Sequence, residues 1–314
     1  MKLLMLGPWA DRVNELRADF PSVEFMIGQT PEEAVALAAE AEVAFGRISR
    51  EAFLAAEKLR WIQSSSAGVE WMRQIPELAD SPVTVTNTRG AHAGTIAEHA
   101  MGMLVSLARG FYQLQKAQER KDWGNINHSL VGLAGLTMGI IGLGQIGRAI
   151  AKRAHAFDMR LIAVDAHDVP RPDYIAEFWL LDGLEGLIKQ ADVVVVATPI
   201  TPETRGMLGP QQLRLMKPSA YLLVMSRGGI IDEPTLISML QEGQLAGAGL
   251  DVAATEPLPA TDPLWEAPNI FITPHCSPRS EQTRAGVVGI FRDNLTRYLN
   301  GQTLTNLVDK KLGY

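Results

Sequence analysis

Cysteine is nearly absent: Cys276 is the only one in 314 residues. No intrachain disulfide and no cysteine zinc cluster can form, so no metal site is expected, and a reducing compartment such as the cytoplasm is the simplest assignment. Charge is sparse as well. Lys and Arg number 29 against 35 Asp and Glu, a net charge of −6. An acidic balance argues against sequence-independent nucleic-acid binding, which needs a basic surface. Charged residues make up 20% and apolar residues 46%, too few charges and too much hydrophobicity for a disordered chain. Export and membrane signals are also missing. Met1–Ala10 is apolar only briefly before Asp11 and Arg12, with no basic start and long apolar run, so no secretory signal is read. The uncharged stretch from Ser129 to Gly147 has the length of a membrane helix, but six glycines (132, 135, 139, 142, 144 and 147) make it read as loop, strand and tight turn. What remains is a globular chain long enough for two domains of roughly 150 residues each.

Short apolar runs alternate with helical patterns through the first hundred residues. Strands are expected at Lys2–Leu6, Val23–Ile27, Glu42–Phe45, Trp61–Gln63 and Val83–Thr86. Helices are expected between them, near Ala10–Ala18, Pro31–Ala39, Arg50–Ala56 and Val69–Gln74. Thr30, Pro31 and Glu33 spell a helix start with a capping box. One long helix is read from about Gly94 to Arg120, with Ile96, Met103, Leu104 and Leu107 on its apolar face, and then a loop over Asp122–Leu133. Six further strands are expected at Thr137–Ile141, Arg160–Val164, Val193–Ala197, Tyr221–Met225, Ala246–Asp251 and Ile270–Thr273, and a last helix over Arg279–Leu299 stopped by Asn300-Gly301. Strands alternating with helices give an α/β fold with parallel sheets covered on both faces.

Ligands of open parallel sheets bind outside the carboxyl ends of the strands, so the residues that follow each strand carry the functional argument. Gly142-Leu-Gly144-Gln-Ile-Gly147 follows the first strand of the second half and opens a helix, the context a dinucleotide fingerprint requires. Gly142 permits the turn, Gly144 admits a pyrophosphate, Gly147 packs the helix on the strand, and the helix N-terminus offers free amides. Asp165 ends the next strand, 18 residues beyond Gly147, where a carboxylate binds a ribose 2′-hydroxyl and repels a 2′-phosphate. NAD is therefore favoured over NADP, with Arg171 nearby softening the exclusion. Thr198 and Pro199, then Arg227 between Ser226 and Gly228, then Asp251 and Glu256, then His275 after Pro274, gather at the same edge. The glycines beside Arg227 suggest a backbone that passes close to a ligand, and an arginine fork suits a carboxylate. Glu256 is placed to reach His275, and a carboxylate beside an imidazole favours its charged form. Such a histidine donates a proton to a carbonyl oxygen and takes it back in reverse. The bland alternatives are a turn-capping glutamate, a surface arginine and a structural histidine, one of six in the chain.

Met225-Ser-Arg-Gly-Gly-Ile-Ile-Asp232, Ala248-Gly-Leu-Asp-Val-Ala-Ala-Thr-Glu-Pro257 and Thr273-Pro-His275 together resemble the D-isomer-specific 2-hydroxyacid dehydrogenase family. Leu143-Gly-Gln-Ile-Gly-Arg148, Thr198-Pro-Ile-Thr-Pro-Glu-Thr204, Ser66-Ala-Gly-Val69 and Leu304-Thr-Asn-Leu307 are similar to it too, so the resemblance spans nearly the whole chain. It implies two doubly wound parallel-sheet domains: a Rossmann NAD-binding domain over 94–283 and a smaller, discontinuous, flavodoxin-like substrate domain over 1–93 and 284–314. It implies Arg227, Glu256 and His275 as the catalytic set. Gln145, Ile146, Thr198 with the adjoining Pro199, and Met225 would touch the cofactor, and Asp251 the nicotinamide carboxamide. Ala67 and Gly68 would offer amides to the substrate carboxylate. The implied activity is NAD(H)-dependent interconversion of 2-oxo acids and D-2-hydroxy acids, by a homodimer whose domains close on the ligand. Alternatives are an NAD(H)-sensing, corepressor-like interaction protein and a 3-phosphoglycerate dehydrogenase lacking a regulatory domain.

Two departures from the family pattern stand out. Cys276-Ser277-Pro278 follows the histidine, where small or aliphatic residues are usual, and suggests either a thiol sensitive to oxidation or alkylation, or a small buried side chain. Val69-Glu70-Trp71-Met72 follows the substrate loop and either shapes a pocket or packs in a core.

Overall fold

The computed structural model describes residues 1–124 and 130–311. The chain divides into two compact units, Met1–His92 with Ser280–Tyr314, and Ala93–Arg279. The expected cut at 283/284 would fall inside the Glu281–Leu299 helix. The unit boundary lies instead at that helix's N-cap, Ser280, whose hydroxyl accepts from the Thr283 amide.

The first unit is built on five parallel strands: β1 (Lys2–Leu6), β2 (Glu24–Gly28), β3 (Val43–Phe45), β4 (Trp61–Gln63) and β5 (Thr84–Thr86), in the order β2-β1-β3-β4-β5. That is the flavodoxin-like order. The capping box forms as read, with Thr30 accepting from the Glu33 amide and the Glu33 carboxylate from the Thr30 amide. Alternate residues of each strand serve opposite faces. Leu4, Ala44 and Ile62 pack under one set of helices, while Leu3, Val43, Phe45 and Trp61 meet Phe291 of the Glu281–Leu299 helix. The Phe45 and Phe291 rings stack 4.2 Å apart. This apolar contact is why the chain's last helix belongs to the first unit. Trp71 and Met72, offered above as possible pocket walls, are 5% and 7% exposed and lie in this unit's core, with Trp71 Nε1 donating to Ser64.

The second unit holds β6 (Thr137–Ile141), β7 (Arg160–Asp165), β8 (Ile175–Leu180), β9 (Val193–Val196), β10 (Tyr221–Val224), β11 (Gly247–Leu250) and β12 (Ile270–Ile272), all parallel. Their order is β12-β11-β10-β9-β6-β7-β8. Counted within the unit this is the 3-2-1-4-5-6 Rossmann order with one more strand at the far edge, and the order reverses between β6 and β9. Both faces are covered, which explains unbroken apolar runs such as the four valines of β9. Val194 and Val196 enter one core, Val193 and Val195 the other.

Two expectations are corrected. The second unit has seven strands, not six. The omitted β8 is an edge strand whose partly exposed Phe178, Trp179 and Leu180 give neither alternation nor a buried run, and its pairing with β7 shifts register at Leu161/Ile162. The single long helix is two, Ala93–Ala108 and Phe111–Glu119, separated where Gly110 adopts φ +60°. A left-handed residue ends an α-helix, and glycine takes that conformation without a Cβ clash. The loop expected over Asp122–Leu133 falls partly on residues outside the described ones, as does Ser129. Among the described residues no helix is long and apolar enough to cross a membrane.

Candidate active site

The β6–β9 reversal point carries the glycine turn. Gly142 follows β6 with φ +95°, and a Cβ on it would sit 2.8 Å from the Thr198 amide nitrogen beyond β9. A Cβ on Gly147 would sit 2.1 Å from the Gly142 carbonyl oxygen, so the helix starts hard against the turn. Gly144 is different. A Cβ there meets nothing within 4 Å and would project into open space at the N-terminus of the Gln145–Ala156 helix. The amides of Gln145, Ile146 and Gly147 occupy the first turn and have no acceptor inside the helix. Open space above a set of unpaired amides at the positive end of a helix fits a pyrophosphate.

Asp165 ends β7 beside this turn. Its carboxylate accepts from the Leu143 amide at 2.8 Å and the His167 amide at 3.1 Å. These two bonds aim the group and leave lone pairs for a further donor. Arg171 is engaged elsewhere: it pairs with Asp168 at 2.8 Å and lies over the Phe178 ring at 4.6 Å. Thr198 is partly exposed and Pro199 exposed. The loop they begin is braced by Thr204, whose hydroxyl donates to the Pro199 carbonyl at 2.7 Å and accepts from the Thr201 amide at 2.8 Å. Met225 directly follows β10. Its side chain is 3% exposed within the core, which leaves its backbone for any ligand.

Arg227 lies in the loop after β10, its Nη1 donating to the Ser226 carbonyl at 2.8 Å. Its glycine neighbour has another purpose than the one read from sequence. A Cβ on Gly228 would lie 1.8 Å from the Ala253 carbonyl oxygen. Gly228 therefore lets the Arg227 loop pack on the loop after β11 that leads to Glu256, rather than on a ligand. Across that second loop, Glu256 Oε2 is 2.7 Å from His275 Nδ1, and Oε1 accepts from the Ala253 amide at 3.2 Å. Both side chains keep more than a third of their surface exposed. His275 itself has φ +48°, a conformation unusual for a residue with a Cβ, and one its surroundings must hold.

Asp251 provides that hold. Only 1% exposed, it accepts from the Thr273 hydroxyl at 2.6 Å, the Cys276 amide at 3.0 Å and the Ser277 amide at 3.1 Å. These donors flank His275 on both sides. Sequence reasoning assigned Asp251 to the cofactor and missed this anchoring role, because three donors 22 to 26 residues away leave no local signal. It also missed Ser226, whose buried hydroxyl has no hydrogen-bond partner among the described residues. Cys276 is partly exposed, not fully buried. In the first unit, the Ala67 carbonyl accepts from Asn87 Nδ2 at 2.9 Å and the Gly68 carbonyl from the Ser66 hydroxyl at 2.7 Å. With those carbonyls held, the Ala67 and Gly68 amides donate to no acceptor among the described residues.

Comparison with known proteins supplies the family. A family model described as D-isomer specific 2-hydroxyacid dehydrogenase, NAD binding domain, matches residues 101–277. The chain belongs to the D-isomer-specific 2-hydroxyacid dehydrogenase family. A glyoxylate reductase from Korarchaeum cryptofilum is 35% identical over 270 residues, covering 84% of this chain and 80% of the relative. A D-3-phosphoglycerate dehydrogenase from Methanocaldococcus jannaschii is 31% identical over 98% of this chain but only 59% of its own length. The crystal structure of a D-isomer-specific 2-hydroxyacid dehydrogenase family protein from Aeromonas salmonicida superimposes with a TM-score of 0.86 at 32% identity, covering 98% of this chain and 99% of that one. The chain is thus an oxidoreductase of this dehydrogenase family, and the matched NAD-binding domain lies wholly within the second unit.

Proposed function

We propose that this family member reduces small 2-oxo acids to D-2-hydroxy acids with NADH, and that Arg227, Glu256 and His275 carry the chemistry. The observation behind the proposal is the 2.7 Å contact between His275 Nδ1 and Glu256 Oε2, beside the loop that holds Arg227. A carboxylate accepts only, so Nδ1 carries a proton toward Glu256, and Nε2 is left to exchange a proton with the substrate. In the reductive direction His275 starts as imidazolium and donates its Nε2 proton to the forming alkoxide. Glu256, its other oxygen fixed by the Ala253 amide, stabilises that cation and holds the ring plane. Arg227 binds the substrate carboxylate and orients the neighbouring carbonyl. Ala67 and Gly68 are assigned as amide donors to the same carboxylate.

The residues fit a nicotinamide dinucleotide. Gly142, Gly144 and Gly147 shape the turn, the amides of Gln145 and Ile146 would hold the pyrophosphate, and Asp165 would take the ribose hydroxyls. Thr198, Pro199, the Met225 backbone and the lone pairs of Asp251 left by its amide donors complete the set. A nicotinamide held by these residues would supply or accept the hydride at the substrate carbon. Asp165, with Arg171 paired to Asp168, supports NAD over NADP.

The test is loss of nicotinamide absorbance with NADH and then NADPH against glyoxylate, hydroxypyruvate, pyruvate and bulkier 2-oxo acids. Turnover with NADH on a small oxo acid is expected, and oxidation of 3-phosphoglycerate in preference to it would reassign the substrate. NADH binding without turnover on any acid would overturn the enzymatic reading in favour of a nucleotide sensor.

A further inference from the structure

His99, Asp251 and Cys276 stand far apart in sequence and meet inside the second unit. His99 comes from the Ala93–Ala108 helix, Asp251 directly follows β11, and Cys276 follows the candidate catalytic histidine. One donor atom from each, the imidazole nitrogen, a carboxylate oxygen and the thiol sulfur, lies within 4.8 Å of the others. His99 Nε2 and Asp251 Oδ1 are already 3.8 Å apart. Ligands held tetrahedrally by a zinc-class ion at ordinary bond lengths are about 3.3–3.8 Å apart. The nitrogen–oxygen edge of such a site is therefore preformed, and the sulfur, no more than 4.8 Å from either, is within the reach of a side-chain rotation. The carboxylate is fixed from behind by the Ser277 amide on Oδ2 at 3.1 Å, the outer support that metal-binding carboxylates ordinarily have. His99 and Cys276 are both partly exposed, so two of the three donor side chains reach solvent.

A hydroxyl now bridges part of this space. Thr273 Oγ1 donates to Asp251 Oδ1 at 2.6 Å and lies 3.0 Å from His99 Nε2. With its one proton given to Asp251, the hydroxyl accepts from Nε2–H. An ion would take that Nε2 lone pair after the imidazole proton moves to Nδ1, and would bind sulfur after the thiol releases one proton to solvent. Mixed nitrogen, oxygen and sulfur donors suit zinc, cobalt and cadmium rather than magnesium or calcium.

We propose that His99, Asp251 and Cys276 form a binding site for a divalent zinc-class ion, separate from the His275–Glu256 pair, and that its occupation slows the dehydrogenase. The slowing follows from the anchor. An ion on Oδ1 competes with the Thr273 hydroxyl and the Cys276 amide, the two donors that flank His275 and hold its left-handed backbone. This second part rests on the function proposed above; the binding itself does not.

The experiment uses the full chain and Co²⁺ as a spectroscopic probe. One equivalent of Co²⁺ gives a sulfur-to-cobalt charge-transfer absorption and the strong visible bands of a tetrahedral centre. Cys276→Ser loses the charge-transfer band, and His99→Gln weakens Co²⁺ affinity at least tenfold, each with an unchanged melting temperature in the absence of metal. A wild-type spectrum without the charge-transfer band, or His99→Gln binding as tightly as wild type, overturns the site. In turnover assays Zn²⁺ inhibits the wild type reversibly, with chelator restoring activity, while Cys276→Ser keeps its metal-free rate and needs at least tenfold more Zn²⁺. Equal sensitivity of the two proteins would place the inhibitory ion elsewhere and overturn the second part. Absence of turnover would count against the proposed function and leave the cobalt spectrum readable.

Discussion

Gly144 and Gly147 differ by three positions and face opposite situations, so alanine at each separates folding from cofactor binding. At Gly147 the new Cβ lies 2.1 Å from the Gly142 carbonyl oxygen. Comfortable contact needs about 3.5 Å, so the helix start and the turn must part by about 1.4 Å. Forcing a methyl into a packed site costs about 1–3 kcal/mol. At about 2–4 °C per kcal/mol for a domain of this size, melting without cofactor falls by about 2–12 °C. The displaced turn also carries the amides assigned above to a pyrophosphate, so NADH affinity is expected to fall at least tenfold, about 1.4 kcal/mol. At Gly144 the backbone is extended (φ −75°, ψ −159°) and the Cβ meets no protein atom. Losing glycine at this cap costs below about 1 kcal/mol, so melting stays within about 4 °C of wild type. Yet the methyl enters the space assigned to the pyrophosphate, and NADH affinity again falls at least tenfold. Differential scanning fluorimetry of the free proteins and fluorescence titration with NADH measure both quantities. Gly144→Ala binding NADH as tightly as wild type would refute the placement of the cofactor, whatever Gly147→Ala does.

Three further outcomes are expected. His275→Ala lowers turnover by roughly 10²–10⁴-fold with NADH binding nearly unchanged; steady-state kinetics beside the same titration check it. Asp165→Asn keeps an acceptor for a backbone amide but removes the charge, so the ratio of kcat/KM for NADPH over NADH rises at least tenfold; an unchanged ratio removes Asp165 as the cofactor selector. Burial raises the carboxyl pKa of Glu233, against a hydrogen bond from the Ala254 amide, with Asp262 and Asp232 adding repulsion. A carboxyl raised in the folded state binds more protons folded than unfolded, so it costs stability as pH rises above the unfolded value of about 4.3. Glu233→Gln keeps the Ala254 acceptor, melts higher than wild type at pH 7, and loses that advantage below about pH 4.

How much of this was legible in the sequence follows from the range of the interactions involved. The Thr30 capping box, the glycine turn and the strand-end positions of Asp165 and His275 are written in contiguous residues, and each forms as read. The failures occur where the deciding contact is distant or one-sided. β8 has a neighbour on one edge only, so burial imposed no pattern on it. The glycine next to Arg227 was recognised as demanding close approach, but only the fold shows that the approaching atom is the Ala253 carbonyl and not a ligand. Asp251 is the sharpest case. Its place after β11 announced a functional carboxylate, while its use depends on Thr273, Cys276 and Ser277 from beyond another strand and on His99 from a helix some 150 residues earlier. A single cysteine excludes a cysteine cluster. It says nothing about one thiol meeting an imidazole and a carboxylate through tertiary packing. Asp251 is buried and anchors the loop that carries His275, so an ion bound to its carboxylate would, by the same geometry, release that loop. Structural support and the proposed sensitivity to metal would then be two consequences of one arrangement, and Cys276→Ser would separate them because it removes the sulfur and keeps the amide.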